Sequence, residues 1–291
     1  MKNYAYISIL TSENYLEGLA ATCISLRQTL TEYPIHVLIP RALYDKCAVL
    51  CTKMSRQLGL HWITYDESVR IPDELRKSNS RQGDLRFNYT FDKLKIFELT
   101  QFEKLVFIDS DIYILQNLDH LFELPHMSAM IAGASFPGNE DWVELTSGIM
   151  TIVPQEGMVS KFENIIPDVM KTRSSCGDQD VLQFYYTDWP SRPELNMGEK
   201  YGVIAGYARY YEKVLGYHYD DNIADPKSVA IIHFAGESKP WFQHWSRLSI
   251  IKQELKLRYF HLVHQRNTES IFLEYKKMIR EIRRMLRRSQ P

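Results

Sequence analysis

The sequence predicts an α/β fold in which a mainly parallel central sheet carries helices on both faces, and three observations lead there. Short runs of β-branched and aromatic residues alternate with longer amphipathic stretches from the amino terminus onward, as in successive βαβ units. One of those runs, Leu105, Val106, Phe107 and Ile108, is unbroken, too short for a helix and rich in β-formers, as a strand buried on both faces requires. Asp109, Ser110 and Asp111 follow it directly, and the carboxyl ends of strands are where open α/β sheets receive ligands.

In chain order, residues 4–10 read as a strand, and Thr11, Ser12 and Asn14 offer capping groups for a helix over about 15–30. A second strand over 35–39 is closed by Pro40, a helix over 41–58 is stopped by Gly59, and 61–65 is a third, weaker strand. Residues 66–90, with Arg70, Arg76, Lys77, Arg81 and Arg86, read as a long polar loop, either a lid or substrate arm or a solvated insertion. A helical pattern over 91–99 then delivers the chain to the Asp109 strand. After it come a short helix opened by Asn117, Leu118 and Asp119, a strand over 130–134 and a Gly/Pro loop over 135–144. A strand over 149–153 has Thr146, Ser147 and Gly148 at its mouth, and a helix follows over 155–172. Cys176-Gly177-Asp178-Gln179-Asp180 opens a further helix, with Asp178 either its cap or a functional carboxylate. A late strand over 230–232 ends in His233, with Gly236, Lys239, Pro240 and Trp241 beyond it.

The 291 residues, 45% hydrophobic, suffice for one large α/β domain and exclude a disordered chain. The start, MKNYAYISIL, runs into a strand pattern without the features of a signal peptide, and no apolar run is long enough for a membrane span. Cys23, Cys47, Cys51 and Cys176 have no framework spacing, so reduced thiols in a cytoplasmic protein are expected, with Cys47 and Cys51 in the core. The net charge of −1 hides an asymmetry. Residues 276–288 hold seven Lys/Arg and one Glu, +6 in all, so the rest of the chain carries −7 and is unlike a nucleic-acid binder.

Two carboxylates two residues apart can be turn or capping groups, yet an ionised Asp beside a buried strand is costly unless paired, hydrogen-bonded or metal-bound. Such a pair is a cradle for a hard divalent cation, Mg²⁺ or Mn²⁺, bound together with substrate phosphates. Alone, His233 reads as a core histidine and Lys239 as a solvated charge.

Taken together, six stretches in order resemble the retaining family 8 glycosyltransferases, the group of glycogenin and of bacterial lipooligosaccharide galactosyltransferases. They are Leu10-Thr11 with Tyr15, Lys93-Leu94, the FIDSD run, Ser147-Gly148, GDQD from Gly177, and HFAGESKPW from His233 to Trp241. The resemblance implies a GT-A type fold, placed here over residues 1–250, with Mn²⁺ (or Mg²⁺) held by Asp109, Asp111 and His233. It implies a UDP-sugar donor contacted by Leu10, Thr11 and Tyr15 at the uridine, by Lys93 at the sugar or diphosphate, and by Ser110, Thr146, Ser147 and Gly236. It also implies that Lys239 neutralises the leaving diphosphate, that Asp178 accepts hydrogen bonds from sugar hydroxyls, and that Gln179 lies beside the anomeric carbon. Double displacement needs a carboxylate there, so the amide favours front-face substitution. Thr146 and Gly202 stand where family members often carry Asn.

The implied reaction moves a hexose, glucose or galactose, from UDP-glucose or UDP-galactose to a saccharide acceptor, of the lipid-linked lipopolysaccharide or capsule type. Rival readings are a glycogenin-like enzyme glycosylating one of its own 18 tyrosines, a non-catalytic sugar-binding relative, and a haloacid-dehalogenase-like phosphatase. The last usually has Thr or Val where Tyr113 stands. Residues 251–291 read as a basic amphipathic helical tail. Tyr275, Met278, Ile279, Ile282, Met285 and Leu286 make one apolar stripe, while Lys276, Lys277, Arg280, Arg283, Arg284, Arg287 and Arg288 fill the remaining surface. The expectation is attachment to an anionic membrane surface, at the inner face of the cytoplasmic membrane, the alternative being a helix packed on the body.

Overall fold

The computed structural model of the protein describes residues 2–131, 133–236, 239–259 and 266–287. The chain opens with strand β1 (Tyr4–Ile9), helix α1 (Leu16–Gln28), β2 (Ile35–Pro40), α2 (Arg41–Lys46), α3 (Ala48–Leu58) and β3 (Leu60–Tyr65). It continues through α4 (Asp73–Arg81), two 3-10 helices (Leu85–Tyr89 and Phe91–Glu98), β4 (Lys104–Ile108), β5 (Ile112–Ile114), β6 (Ala129–Ile131) and β7 (Leu145–Ile152). It ends with α5 (Met158–Thr172), α6 (Asp178–Tyr185), β8 (Val203–Ile204), α7 (Ala208–Lys213), β9 (Ile231–His233), α8 (Arg247–Tyr259) and α9 (Thr268–Arg287).

The main sheet has the order β3-β2-β1-β4-β7-β6. β3, β2, β1 and β4 are parallel, and β7 alone runs against its neighbours. Strand side chains alternate between two buried clusters, as the period of two demands. Tyr6, Val106 and Ile108 face one cluster with residues of α1, α3 and α9. Ala5, Ile7, Leu105 and Phe107 face the other with residues of α5, α6 and the 3-10 helix Phe91–Glu98. Burial on both faces is why β4 reads as a near-continuous apolar run, whereas β7, equally buried, carries Thr146, Ser147, Gly148 and Thr151. A second, smaller sheet has the order β5-β9-β8.

Five expectations about the elements need correction. The helix expected over 41–58 breaks at Cys47, whose φ of −105° and ψ of 15° end α2 before α3 begins. The loop expected over 66–90 contains α4, which Pro72 precedes and Asp73 and Glu74 open with charge that suits a helix amino terminus. Its polar sequence hides this helix because only Leu75 and Asn79 are buried. Thr146, Ser147 and Gly148 lie inside β7 and not at its mouth, and Asp109 N–H bonds to Gly148 O across the ladder at 2.9 Å. The helix expected from residue 155 starts at Met158, after Gly157 turns the chain at φ 78°. Of the strand expected over 130–134, Met130 and Ile131 lie in β6, and Ala132 is outside the described residues.

The C-terminal stripe is also corrected in its role. Tyr275, Met278, Ile279 and Ile282, with Ile271, are buried in the same cluster as β4 and α1, and Leu286 packs at its edge. Lys277 pairs with Glu254 of α8 at 3.0 Å and Lys276 donates to Gln253 at 3.0 Å. Most of the stripe is therefore part of the protein core, with Met285 and Leu286 half-buried at its end; Arg288 lies outside the described residues. All four cysteines are buried free thiols, and burial pushes the Cys23 and Cys51 thiols up to about 12. No helix among the described residues is long and apolar enough to cross a membrane. Because Ile279 is fully buried, Ile279→Ala is expected to destabilise the protein by about 2–5 kcal/mol, read as a lowered midpoint in chemical denaturation. A stripe that met only lipid would leave the midpoint unchanged.

Candidate active site

β4 lies between β1 and β7, so the chain leaving its carboxyl end emerges at the middle of the sheet. Asp109 keeps the last ladder bond, and Ser110 and Asp111 then carry the chain from the main sheet into β5 of the small one. Helix α1 guides this crossing. Thr22 Oγ1 donates to Ile112 O at 2.8 Å, and Ser25 Oγ accepts from Ile114 N–H at 3.1 Å. Gly18 lets α1 come this close: a Cβ there would lie 2.7 Å from Ser110 O and 2.6 Å from Trp241 Cη2.

β5 pairs antiparallel with β9, Ile112 opposite His233, and Phe234 N–H bonds to Asp111 O at 2.9 Å. That register brings His233 Nε2 to 3.2 Å from Asp111 Oδ1. Gly148 supplies the space for the imidazole, since a Cβ on it would lie 2.9 Å from His233 Cε1. Carboxylate oxygens of Asp109 and Asp111 and a ring nitrogen of His233 all lie within 4.8 Å of one another. Two carboxylates and an imidazole are a donor set that Mn²⁺ and Mg²⁺ accept. Asp111 Oδ1 is buried without a hydrogen bond, a lone pair turned inward as a metal ligand's would be, so these residues fit such an ion.

Two lysines face the acidic pair. Lys239 Nζ lies 2.5 Å from Asp111 Oδ2 and donates to Phe234 O at 2.7 Å. Lys93 Nζ lies 3.1 Å from Asp109 Oδ2 and 3.0 Å from Asp178 Oδ2, and it donates to Ser147 Oγ at 3.1 Å. Burial pushes the Asp109 carboxyl up to about 6, against the pull of Lys93 and with the like charge of Asp111 adding to the rise. Burial acts on Asp111 in the same direction, but His233 and Lys239 outweigh it and hold that carboxyl well below the usual carboxylate range. Asp109 and Asp178 together outweigh burial at Lys93 and raise its pKa, which keeps the ammonium charged.

Asp178 is not the cap of α6. Asp180 accepts the Gly177 N–H at 2.8 Å and pairs with Arg173 at 2.8 Å, which frees Asp178 to face Lys93. Its Oδ2 makes no hydrogen bond despite the nearby ammonium, and Thr90 Oγ1 accepts its backbone N–H at 3.2 Å. Gln179 Oε1 accepts the Ser147 N–H at 3.2 Å, so the amide sits against β7 beside Lys93.

The remaining expected residues divide. Tyr15 lies edge-on to Trp241 with centroids 5.6 Å apart, and Lys239 Nζ is 5.9 Å from the Tyr15 ring. Burial and then the Asp111 charge raise its pKa. Leu10 is fully buried and bonds through its backbone N–H to Leu38 O, so its side chain belongs to the core. Thr11 follows β1 half-buried, and Ser110 is buried between the two acids. Thr146 Oγ1 donates to Met130 O at 3.2 Å and is occupied within the sheet. Gly236 is exposed at φ 89°, a conformation that favours glycine. Sequence reasoning missed Gly18 and Thr90, which single letters give no means to find, and Arg283, which read only as tail charge.

Comparison with known proteins agrees with this geometry. Residues 6–244 match the family described as glycosyl transferase family 8. The chain is 30% identical over 268 residues to Glycogenin-1 of Caenorhabditis elegans, covering 84% of this chain and 54% of that protein. It is 28% identical over 242 residues to UDP-glucuronate:xylan alpha-glucuronosyltransferase 2 of Arabidopsis thaliana, covering 82% and 36%. The chain thus spans about half of the first of these curated relatives and about a third of the second. Among solved structures, the galactosyltransferase LgtC with donor and acceptor sugar analogs superposes with a TM-score of 0.54 at 16% identity, covering 84% of this chain and 91% of that one. The apo glycosyltransferase GlyE of Streptococcus pneumoniae gives 0.54 at 17% identity, covering 96% and 64%. The fold is of GT-A type, and with a match that runs through the acidic turn, β7, α6 and His233, the chain belongs to glycosyl transferase family 8.

Proposed function

We propose that the protein transfers a hexose, glucose or galactose, from a UDP-sugar to a saccharide acceptor with retention of configuration, using Mn²⁺ or Mg²⁺. The observation that carries this reading is the meeting of Asp109, Asp111 and His233 with Lys239 on one side and the Lys93–Asp178–Gln179 group on the other. Asp109, Asp111 and His233 would hold the metal, which when bound neutralises charge on the diphosphate as a Lewis acid. Lys239 faces the same place and takes up charge as the diphosphate leaves, while Tyr15 and the Thr11 segment border the nucleoside.

On the sugar side, Asp178 is a buried carboxylate whose Oδ2 lies 3.0 Å from Lys93 Nζ, and its remaining lone pairs can accept sugar hydroxyls. Lys93 is already matched by two carboxylates, which favours a neutral hexose over a donor with a carboxylate of its own. Gln179 is an amide, Asp180 is spent on Gly177 and Arg173, and Asp178 is bound to Lys93. With no uncommitted carboxylate among them for a glycosyl-enzyme intermediate, substitution takes place on one face. The acceptor oxygen bonds to the anomeric carbon as the bond to the phosphate oxygen breaks. The leaving diphosphate takes that electron pair and accepts the acceptor's proton.

We place the acceptor on a lipid-linked saccharide and the protein peripherally at the inner face of the cytoplasmic membrane. With the α9 stripe buried, the support comes from α8, whose Leu248, Ile251 and Leu255 are exposed at three- and four-residue spacing beside exposed Arg247, Lys252 and Lys256.

UDP release from a panel of nucleotide sugars tests the donor reading. Release is expected with UDP-glucose or UDP-galactose and Mn²⁺ but not with EDTA, and Asp111→Asn should lower it at least about a hundredfold. Full release in EDTA would refute the metal's role. Since a proton on Asp109 competes with the metal, Mn²⁺ affinity measured by calorimetry should fall by up to about tenfold for each pH unit below about 6. Affinity that stays level from pH 7 to pH 5 would remove Asp109 from the ligand set. In vesicle co-sedimentation, the protein should pellet with anionic vesicles at low salt, and a Leu248→Glu/Leu255→Glu variant should remain in solution.

A further inference from the structure

The α9 helix lies beyond the segment that matches the family, residues 6–244, yet one of its side chains reaches the loop that carries Lys239. Arg283 is buried. Its Nε donates to Glu17 Oε2 of α1 at 2.8 Å, Nη1 donates to Gln243 O at 3.0 Å, and Nη2 donates to Trp241 O. A guanidinium suits this place because its rigid fork satisfies two carbonyls and a carboxylate at once.

In the donor reading above, the segments it joins serve two neighbouring parts of the donor, the diphosphate and the nucleoside. Lys239, two residues before Trp241, accompanies a 3-10 turn over Pro240–Phe242, in which Phe242 N–H bonds to Lys239 O at 3.1 Å. Upstream the backbone is exposed at Gly236 and turns there at φ 89°, while Lys239 itself is tied back by its Nζ to Phe234 O at 2.7 Å. Glu17 lies two residues after Tyr15, and Trp241 Nε1 donates to Asn14 O at 3.0 Å. A second α9 residue braces the loop's root: the Tyr275 ring packs on Phe234, next to His233, with centroids 4.5 Å apart.

We propose that Arg283 is a positioning residue for the diphosphate, holding Lys239 at a fixed distance from the nucleoside segment of α1. The proposal rests on the UDP-sugar reading above. Without the fork, the Trp241 and Gln243 carbonyls lose charged donors, the turn drifts from α1, and Lys239 no longer meets a diphosphate whose uridine is seated. The loss is specific to ligands that need both parts.

Calorimetry on the full chain with saturating Mn²⁺ tests it, with UDP and uridine as probes. Arg283→Met should weaken UDP binding about tenfold and uridine binding less than about twofold, the former being the affinity equivalent of one charged hydrogen bond. In a Lys239→Ala background, the Arg283→Met effect on UDP should shrink below about twofold. Arg283→Lys, which keeps the Glu17 pair, should recover part of the affinity and gives a readout where the Met variant folds poorly. UDP affinity unchanged by Arg283→Met, equal losses for UDP and uridine, or additive effects with Lys239→Ala would each overturn the proposal. A native protein that binds no UDP with Mn²⁺ would overturn the donor reading itself, and the proposal with it.

Discussion

The structure depends on charge placed where an apolar strand ends. β4 is buried on both faces, and directly after it stand two carboxylates that lack the solvation exposed acids enjoy. Ionised groups in such a setting are tolerated only with partners. The chain supplies them from distant segments: Lys93 from the 3-10 helix before β4, His233 from β9, and Lys239 from the loop beyond it. Each partner constrains the element it comes from, so the acidic turn organises the packing of the 3-10 helix just before β4 and of β9 with its following loop, which lie more than a hundred residues further along the chain. The two acids are nevertheless in different states. Asp109 is raised toward neutrality while Asp111, between His233 and Lys239, is held ionised.

Geometry at this turn is set by what is missing from side chains as much as by what is present. Gly148 gives the imidazole its place and Gly18 lets α1 press on the turn. The hydroxyls of Thr22 and Ser25 satisfy backbone groups of β5 on the side that has no neighbouring strand. The small sheet is thereby anchored to α1 on one side and paired with β9 on the other, which keeps Asp111 and His233 in register.

Much of this was legible in the sequence, for physical reasons that differ by residue. The β4 run announced itself because burial on both faces leaves no polar alternation. Asp109 and Asp111 stood out as acids directly after a buried strand, whereas Lys93, Asp178, Gln179, His233 and Lys239 received their site roles from the resemblance to family 8, since each letter alone also fits a core, cap or surface place. The misreadings fall where local pattern underdetermines tertiary context. α4 has too few apolar residues to show a period, since its buried Asn79 serves by hydrogen bonding to Cys176 O and Asn88. Asp178 looked like a cap because the sequence cannot say that Asp180 reaches back to Gly177 instead. The α9 stripe shows that periodicity tells which face of a helix is apolar but not whether protein or lipid covers it.

The burial of α9 also bears on where the folding unit ends. The family match stops at residue 244, and a chain cut there would keep every residue named as a metal or donor contact. It would also uncover Tyr113 and Phe234, which pack on Tyr275, and the flank of α1 that α9 covers. Those groups lie behind the acidic turn, so the exposed patch would be continuous with the wall of the site itself. The boundary of inherited similarity and the boundary of cooperative folding are therefore different places in this chain. A catalytic unit defined by homology alone would carry its chemistry on an open, adhesive surface.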